Sequence, residues 1–397
     1  MALKTVKPPA RAELQQDHGG AAMSATEALA LLEDTRTRTR ELVAHLGPEE
    51  LERTHSPIMS PLVWDLAHIA AYEDLWLCHR HGGLPLLHAE LAALYDAFET
   101  PRAMRSADGA GLLDTEAANR YLDEVHERSC EVLGEVGPGE GTLVELVVRH
   151  ELQHTETMRQ AMDIAGLLPP AEPPDLALMA GTGGNGARSQ WLRVEAGPFT
   201  MGAGPDGFAY DNERPRHERQ VEAFAIAARP LSNGDWLRFL ERGGYELSEH
   251  WSPEGWAWVN EQRLTGSEPP WEAERSWRER AEDCLCHVSW FEAEALAEAN
   301  GARLPEEAEW EKASSREGGL DGQGLVWEWT GSEFDGYPGF QAHPYREYSE
   351  VFFNRGHRVL RGSSWATAPR VASSTFRNWD LPQRRQIFAG VRLARDL

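Results

Sequence analysis

The sequence predicts a two-domain chain of α+β class: a four-helix bundle followed by an α+β domain of short strands and long turns. Three observations predict it. Residues 26–168 carry apolar residues at helical spacing, residues beyond Trp191 fall into short β-prone runs, and a Pro- and Gly-rich stretch divides them. A length of 397 residues is enough for two separate cores.

Residues 1–25 are polar and aperiodic and read as a disordered tail. Four helices are expected over Thr26–Leu46, Pro61–Arg80, Thr115–Leu133 and Gly141–Ala165, so that 26–168 form the bundle. Ser60 and Pro61 supply a start signal, with the hydroxyl as cap and proline at the first helical position. Pro169, Pro170, Pro173 and Pro174 stop the fourth helix, and the Gly-rich run after Gly181 extends a linker over 169–189. In the second domain, 190–397, strands are expected near Trp191–Val194, Phe199–Met201, Gln220–Ile226, Arg358–Leu360 and Gly390–Leu393. Two short helices, Ser232–Arg242 and Trp290–Asn300, interrupt them, which is an α+β pattern. Eleven of the 15 tryptophans lie beyond residue 250, so this half packs through aromatic rings rather than long helices.

Composition excludes several functions. Against 39 Lys and Arg stand 64 Asp and Glu, and a net charge of −25 disfavours nucleic acid and anionic membranes as partners. No apolar run is long enough to span a bilayer, and no signal-peptide pattern opens the chain. Cys78, Cys130, Cys284 and Cys286 are too sparse for a disulfide framework, which leads us to expect a cytoplasmic protein.

The segment His150-Glu151-Leu152-Gln153-His154 places two imidazoles four residues apart in a helix-patterned stretch. Residues i and i+4 lie on one helix face, so both rings can reach one metal ion. HExxH is the signature of zinc peptidases, with the glutamate as general base. Alternatively, the two histidines are satisfied within a bundle or solvated. The peptidase pattern needs a third ligand downstream; the residues after His154 lack the glycine turn, and Pro169 closes the segment. The third ligand must then lie upstream, and His68, set in the helix-patterned Leu66-Ala67-His68-Ile69, is the candidate. Three histidines leave coordination positions open and suit non-haem Fe(II). Glu151 and Glu156 stand where they can orient the ring N–H groups or face solvent.

Ser60-Pro61-Leu62-Val63-Trp64-Asp65-Leu66-Ala67-His68 together with the His150–Glu156 string resembles the DinB-like iron domain of the ergothioneine-biosynthesis sulfoxide synthases. Four further segments resemble the formylglycine-generating-enzyme, or C-type-lectin-like, domain. They are Asp211–Pro215, Ala302–Glu311, Val326–Thr330 and Val359–Trp365. The resemblance implies an enzyme that uses Fe(II) and O2 to join a thiol sulfur, as its S-oxide, to C2 of the imidazole of hercynine (trimethylhistidine). It makes His68, His150 and His154 the iron ligands and Tyr345 the proton or hydrogen donor, with Tyr348 as the other candidate. It further implies that Asn378 and Asp380 hold hercynine, a carboxylate and an aromatic suiting a quaternary ammonium. The alternative for that segment is a core Trp379 with Asp380 paired to Arg384. Arg102 and Arg105 match the arginines that hold the carboxylates of γ-glutamylcysteine, a task that suits the guanidinium fork; the alternative is a solvated basic pair. The copper-binding cysteines of true formylglycine-generating oxidases are absent between Thr375 and Leu393.

One departure stands out. Only Ser314–Leu325 separate Trp310-Glu311-Lys312-Ala313 from Val326-Trp327-Glu328-Trp329, where the sulfoxide synthases carry a much longer insert. A shortened loop favours a different donor, such as the selenosugar used by the paralogous selenoneine synthases, whereas the retained arginines favour γ-glutamylcysteine. Both donors stand, beside a zinc peptidase and a non-catalytic DinB/lectin-like binding protein.

Overall fold

The computed structural model describes residues 23–96, 105, 112–174, 176, 190–265 and 278–397. Most of the expected tail and linker, and Arg102, lie outside these residues. Two compact units emerge: a helical one that runs to Glu172 and takes in Ala366–Val371, and a second one of Pro173–Trp365 with Ala372–Leu397.

The helical unit is built on four long elements. Helix α1 is Ala25–Val43, α2 the short Pro48–Glu52, α3 Leu62–Glu73, α4 Ala89–Leu94, α5 Thr115–Val136 and α6 Thr142–Ala165. Ser24 opens α1 through a reciprocal capping box with Glu27. Asp114 caps α5 by accepting from the Ala117 amide at 2.8 Å. Gly166, at φ +68°, closes α6 in the left-handed conformation that glycine adopts without strain. Helix α3 differs from expectation at both ends. It starts at Leu62 with Pro61 at the cap position and no side-chain cap, and beyond Glu73 it continues as a π-helix, Asp74–His81. Ser60 Oγ instead accepts from Arg105 at 3.4 Å. The π-helix ends at Gly82, where a Cβ would come within 2.7 Å of the Val132 methyls, so only glycine lets the chain pass α5 this closely. Helix α3 is buried almost all round and packs against α5 and α6, as the central helix of the bundle must. Its Leu62, Leu66, Ile69 and Ala70 meet Leu122 and Val125 of α5 and Met158 of α6 in one core.

The second unit holds three small sheets. Strands β1 (Trp191–Val194), β4 (Phe224–Ala227) and β9 (Ala394–Asp396) form one; β2 (Gly197–Met201) and β3 (His217–Val221) form a ribbon. Strands β5 (Trp327–Glu333), β6 (Arg358–Arg361), β7 (Asn378–Asp380) and β8 (Ala389–Gly390) form the third, in the order β7-β6-β5-β8. The run Gln220–Ile226 is thus two strands rather than one, and of Gly390–Leu393 only Gly390 is strand, at the end of β8, the rest being the break before β9. Helices α7 (Asn233–Glu241) and α9 (Trp290–Ala299) lie where expected, each capped by a serine. Helices α8 (Pro253–Thr265) and α10 (Glu307–Ser314) were not foreseen; neither has a wide apolar stripe, and both are dense in tryptophan or glutamate. Trp310, Trp327 and Trp329 are fully buried, so the aromatic half of the chain packs as its composition predicts. Buried arginines tie the loops: Arg392 pairs with Glu328 at 2.6 Å and Arg377 with Glu307 at 2.8 Å. Among the described residues no helix is long and apolar enough to cross a membrane.

Candidate metal centre

Helix α6 presents His150 and His154 one turn apart on a single face, and α3 presents His68 opposite them. One nitrogen from each ring lies within 4.8 Å of the others. His68 Nε2 and His150 Nε2 stand 3.2 Å apart. Two nitrogens bound at ~2.1 Å in neighbouring positions on one ion are separated by about 3 Å, so these rings are spaced as ligands. Two rings are aimed by acceptors behind them. His68 Nδ1–H donates to the Tyr95 carbonyl at 2.5 Å, and His154 Nδ1–H to Asp65 Oδ1 at 2.8 Å. Each bond fixes the tautomer that leaves Nε2 as a lone pair toward the centre. Burial, with the His154 ring beside them, pushes the basicity of His68 and His150 well below the ordinary imidazole value. Both rings are therefore neutral near pH 7, which is the form a metal binds. A set of three imidazoles without a thiolate fits an open mononuclear site for a borderline divalent ion.

Aromatic rings frame the ligands. Trp64, His68, Tyr72 and Trp76 follow one another at four-residue spacing along α3 and into the π-helix, each in contact with the next. Tyr72 stacks on His150 with ring centroids 3.6 Å apart and planes 8° apart.

Glu151 faces away from the centre. It is 2% exposed, accepts from Arg36 Nε at 3.1 Å and Nη2 at 3.2 Å, and accepts from the Thr39 hydroxyl at 2.7 Å. Arg36 also binds Glu73 at 2.5 Å. Glu156 accepts from Thr367 Oγ1 at 2.7 Å. This corrects the sequence expectation for both glutamates: neither orients a ligand ring nor lies in solvent, and Asp65 and the Tyr95 carbonyl do the orienting. Asp65 had a signal, three residues before His68 on the same helix face. The Tyr95 carbonyl had none, because a backbone acceptor leaves no trace in residue identity. A glutamate held by a buried guanidinium is also no base for a zinc-bound water, which removes the support for the peptidase reading.

Comparison with known proteins agrees with this architecture. Residues 31–158 match the DinB superfamily, and residues 182–325 and 318–397 match the sulfatase-modifying factor enzyme 1-like domain. The hercynine oxygenase of Mycolicibacterium smegmatis is 37% identical over 91% of this chain and 97% of its own. The chain belongs to the hercynine oxygenase family. The hercynine oxygenase of Mycobacterium tuberculosis is 38% identical over 94% of this chain and its full length. Ergothioneine biosynthesis protein 1 of Schizosaccharomyces pombe is 28% identical over 48% of this chain and 28% of its own. The alignment with the M. smegmatis hercynine oxygenase runs over 423 positions, more than the 397 residues available, so that relative carries residues this chain lacks.

The remaining residues singled out in the sequence divide between the two units. In the helical unit Arg105 is 8% exposed, with its guanidinium 4.1 Å from the Trp64 ring centre, so it is a buried cation–π partner and not a solvated group. In the second unit Tyr345 and Tyr348 are half-buried with ring centroids 6.3 Å apart. Tyr348 stacks on Tyr210 at 4.4 Å and meets the edge of Trp379 at 5.8 Å. Asn378 Oδ1 accepts from the Trp379 amide at 2.9 Å, and Asp380 accepts from the Leu381 amide at 2.8 Å and Gln386 Nε2 at 3.0 Å. Arg384 approaches Asp380 only to 3.9 Å. Trp379 lies flat on Phe334, 4.2 Å away.

Proposed function

We propose that this chain is an Fe(II)- and O2-dependent hercynine oxygenase that forms a carbon–chalcogen bond at C2 of the hercynine imidazole. The observation that carries the reading is the convergence of His68, His150 and His154 in a chain that aligns with hercynine oxygenases over nine-tenths of its length. In the sulfur version a thiol, the C2–H of hercynine and O2 give the S-oxide and water. Two of the four electrons taken up by O2 are released as the thiol S–H and the C2–H bonds break and the C–S bond forms, and two more as the sulfide becomes the sulfoxide. Bound iron supplies the electron-transfer and oxygen chemistry that no side chain offers.

The residues do the rest. Asp65 and the Tyr95 carbonyl hold protons on the outer nitrogens of His154 and His68, keeping their inner lone pairs free. Asn378 and Asp380 hold the amino-acid end of hercynine, with Trp379 as an aromatic neighbour for its quaternary ammonium. Tyr345 is the proton or hydrogen donor. Arg102 and Arg105 take the carboxylates of a γ-glutamyl donor. The shortened Ser314–Leu325 loop favours a selenosugar instead, and the proposed chemistry admits either donor.

The test starts with protein purified anaerobically and loaded with Fe(II). One iron per chain is expected in the wild type and none in His68→Ala, with O2-dependent loss of hercynine in the presence of γ-glutamylcysteine or a 1-selenosugar, read by mass, only in the former. Glu151→Gln should retain both. Loss of all activity in Glu151→Gln at full metal content would point to a hydrolytic base; a wild type that binds no iron would reject the reading.

A further inference from the structure

The three candidate ligands are not held alike. His68 and His154 each have an acceptor behind the ring, at 2.5 and 2.8 Å. Among the described residues His150 has none at Nδ1: its one hydrogen-bond contact is through Nε2, toward His68. What touches its face is Tyr72, parallel to it at 3.6 Å. Tyr72 belongs to the row of rings on α3 and is itself met by Trp76 at 6.0 Å. Trp76 is 8% exposed, so the row has a fixed inner end.

Resting on the metal reading above, we propose that Tyr72 is the positioning residue of the centre, setting by stacking the plane of the one ligand that hydrogen bonding leaves unfixed. A ring lone pair lies in the ring plane, so a second flat surface 3.6 Å away fixes the plane within which His150 reaches an ion. An acceptor would fix the tautomer as well; stacking leaves His150 free to carry its proton on either nitrogen. His150 is consequently the ligand whose bond depends most on packing and least on charge.

The role requires a flat ring at position 72, not volume and not a hydroxyl. Tyr72→Phe and Tyr72→Trp should bind cobalt(II), titrated against a chelator and followed by its visible absorption, within about twofold of wild type. Tyr72→Leu, apolar but not flat, should lose roughly 10- to 100-fold, the range found when a ligand's supporting group is removed. Far-UV dichroism and the melting temperature of the metal-free proteins report whether the bundle is intact. In metal-free protein labelled at histidine, the His150 ring protons should be shifted upfield by the stacked phenol, keep that shift in Tyr72→Phe and lose it in Tyr72→Leu. Leucine binding as tightly as tyrosine, or phenylalanine failing as badly as His150→Ala, overturns the proposal. Absence of the ring shift in the wild type overturns it too. That measurement needs no metal, so a wild type that binds no cobalt would defeat the metal reading while the ring shift still decides the role of Tyr72.

Discussion

Tyr345 and Tyr348 are the two candidates for one role. Tyr348 is clamped against Tyr210 and Trp379, and a clamped ring is a wall more readily than a donor that has to approach a reacting atom. Tyr345→Phe should therefore keep iron and hercynine affinity but shift the products toward oxidised donor without coupling, by at least tenfold. Tyr348→Phe should keep the wild-type ratio. Product masses at equal iron content decide it, and the reverse pattern moves the role to Tyr348. At this level the sequence was most legible where chemistry is tied to residue type. Histidines in a four-residue repeat and a third one upstream were enough to pick out the three rings that the structure brings together. What stayed hidden were the partners whose role comes from packing: Tyr72 by its flat face, the Tyr95 carbonyl by its backbone, and Arg36, which on sequence is one more arginine among several on an exposed-looking helix.

Helix α6 carries two of the three candidate ligands and is bolted to α1 and α3 through charges with almost no access to water. Arg36, Glu73 and Glu151 are 2%, 0% and 2% exposed. Burial opposes the charge on Glu73, yet Arg36, with His126, holds its carboxyl below the ordinary range. Arg36→Met would strand two buried carboxylates and should cost about 3–5 kcal/mol of stability, read from urea unfolding of the metal-free protein. A loss under 1 kcal/mol would mean that water reaches the network. His126 adds a pH dependence. The Cys130 sulfur and the Glu73 carboxylate pull its basicity up to about 10 from an ordinary 6.5. A folded-state value above the unfolded one stabilises fully below pH 6.5 and is lost as the pH rises toward 10. His126→Gln should accordingly be less stable than wild type at pH 6, with the gap closing by pH 10. A gap of constant size would show that the proton on His126 contributes nothing. The four long helices were readable from periodicity within a few residues at each end. The π-helical continuation of α3 was not, because its sequence keeps an ordinary helical pattern and only the backbone register changes. Helices α8 and α10 escaped for the opposite reason: their apolar residues follow no clean stripe, and the surrounding core rather than the local sequence makes them helical.

For the molecule as a whole, the open question is the second substrate. Offered hercynine with γ-glutamylcysteine, cysteine and a 1-selenosugar in parallel, the iron-loaded protein should couple one class. Coupling to γ-glutamylcysteine that falls by tenfold or more in Arg105→Ala assigns sulfur, since a charge-assisted contact contributes ~1.5–3 kcal/mol. Coupling to the selenosugar with little change in Arg105→Ala assigns selenium, and coupling to neither leaves hercynine oxygenation itself unsupported. The fold class and the order of the two units were legible because helix and strand periodicities differ so plainly on either side of the proline run. The six residues Ala366–Val371 were not, since nothing in their composition says that they belong with the helical unit. Arg370 Nε reaches Glu145 at 3.1 Å and Thr367 reaches Glu156, so both ends of the stretch of α6 that holds His150 and His154 are tied by chain made some 200 residues later. On the ribosome, the helices emerge long before that clasp exists. A nascent bundle must wait, with Glu145 and Glu156 lacking these partners, until residue 371 has cleared the exit tunnel. A gene cut at the linker would therefore yield a helical fragment that is missing part of its own unit. Adding the second fragment in trans should restore what the first cannot make alone.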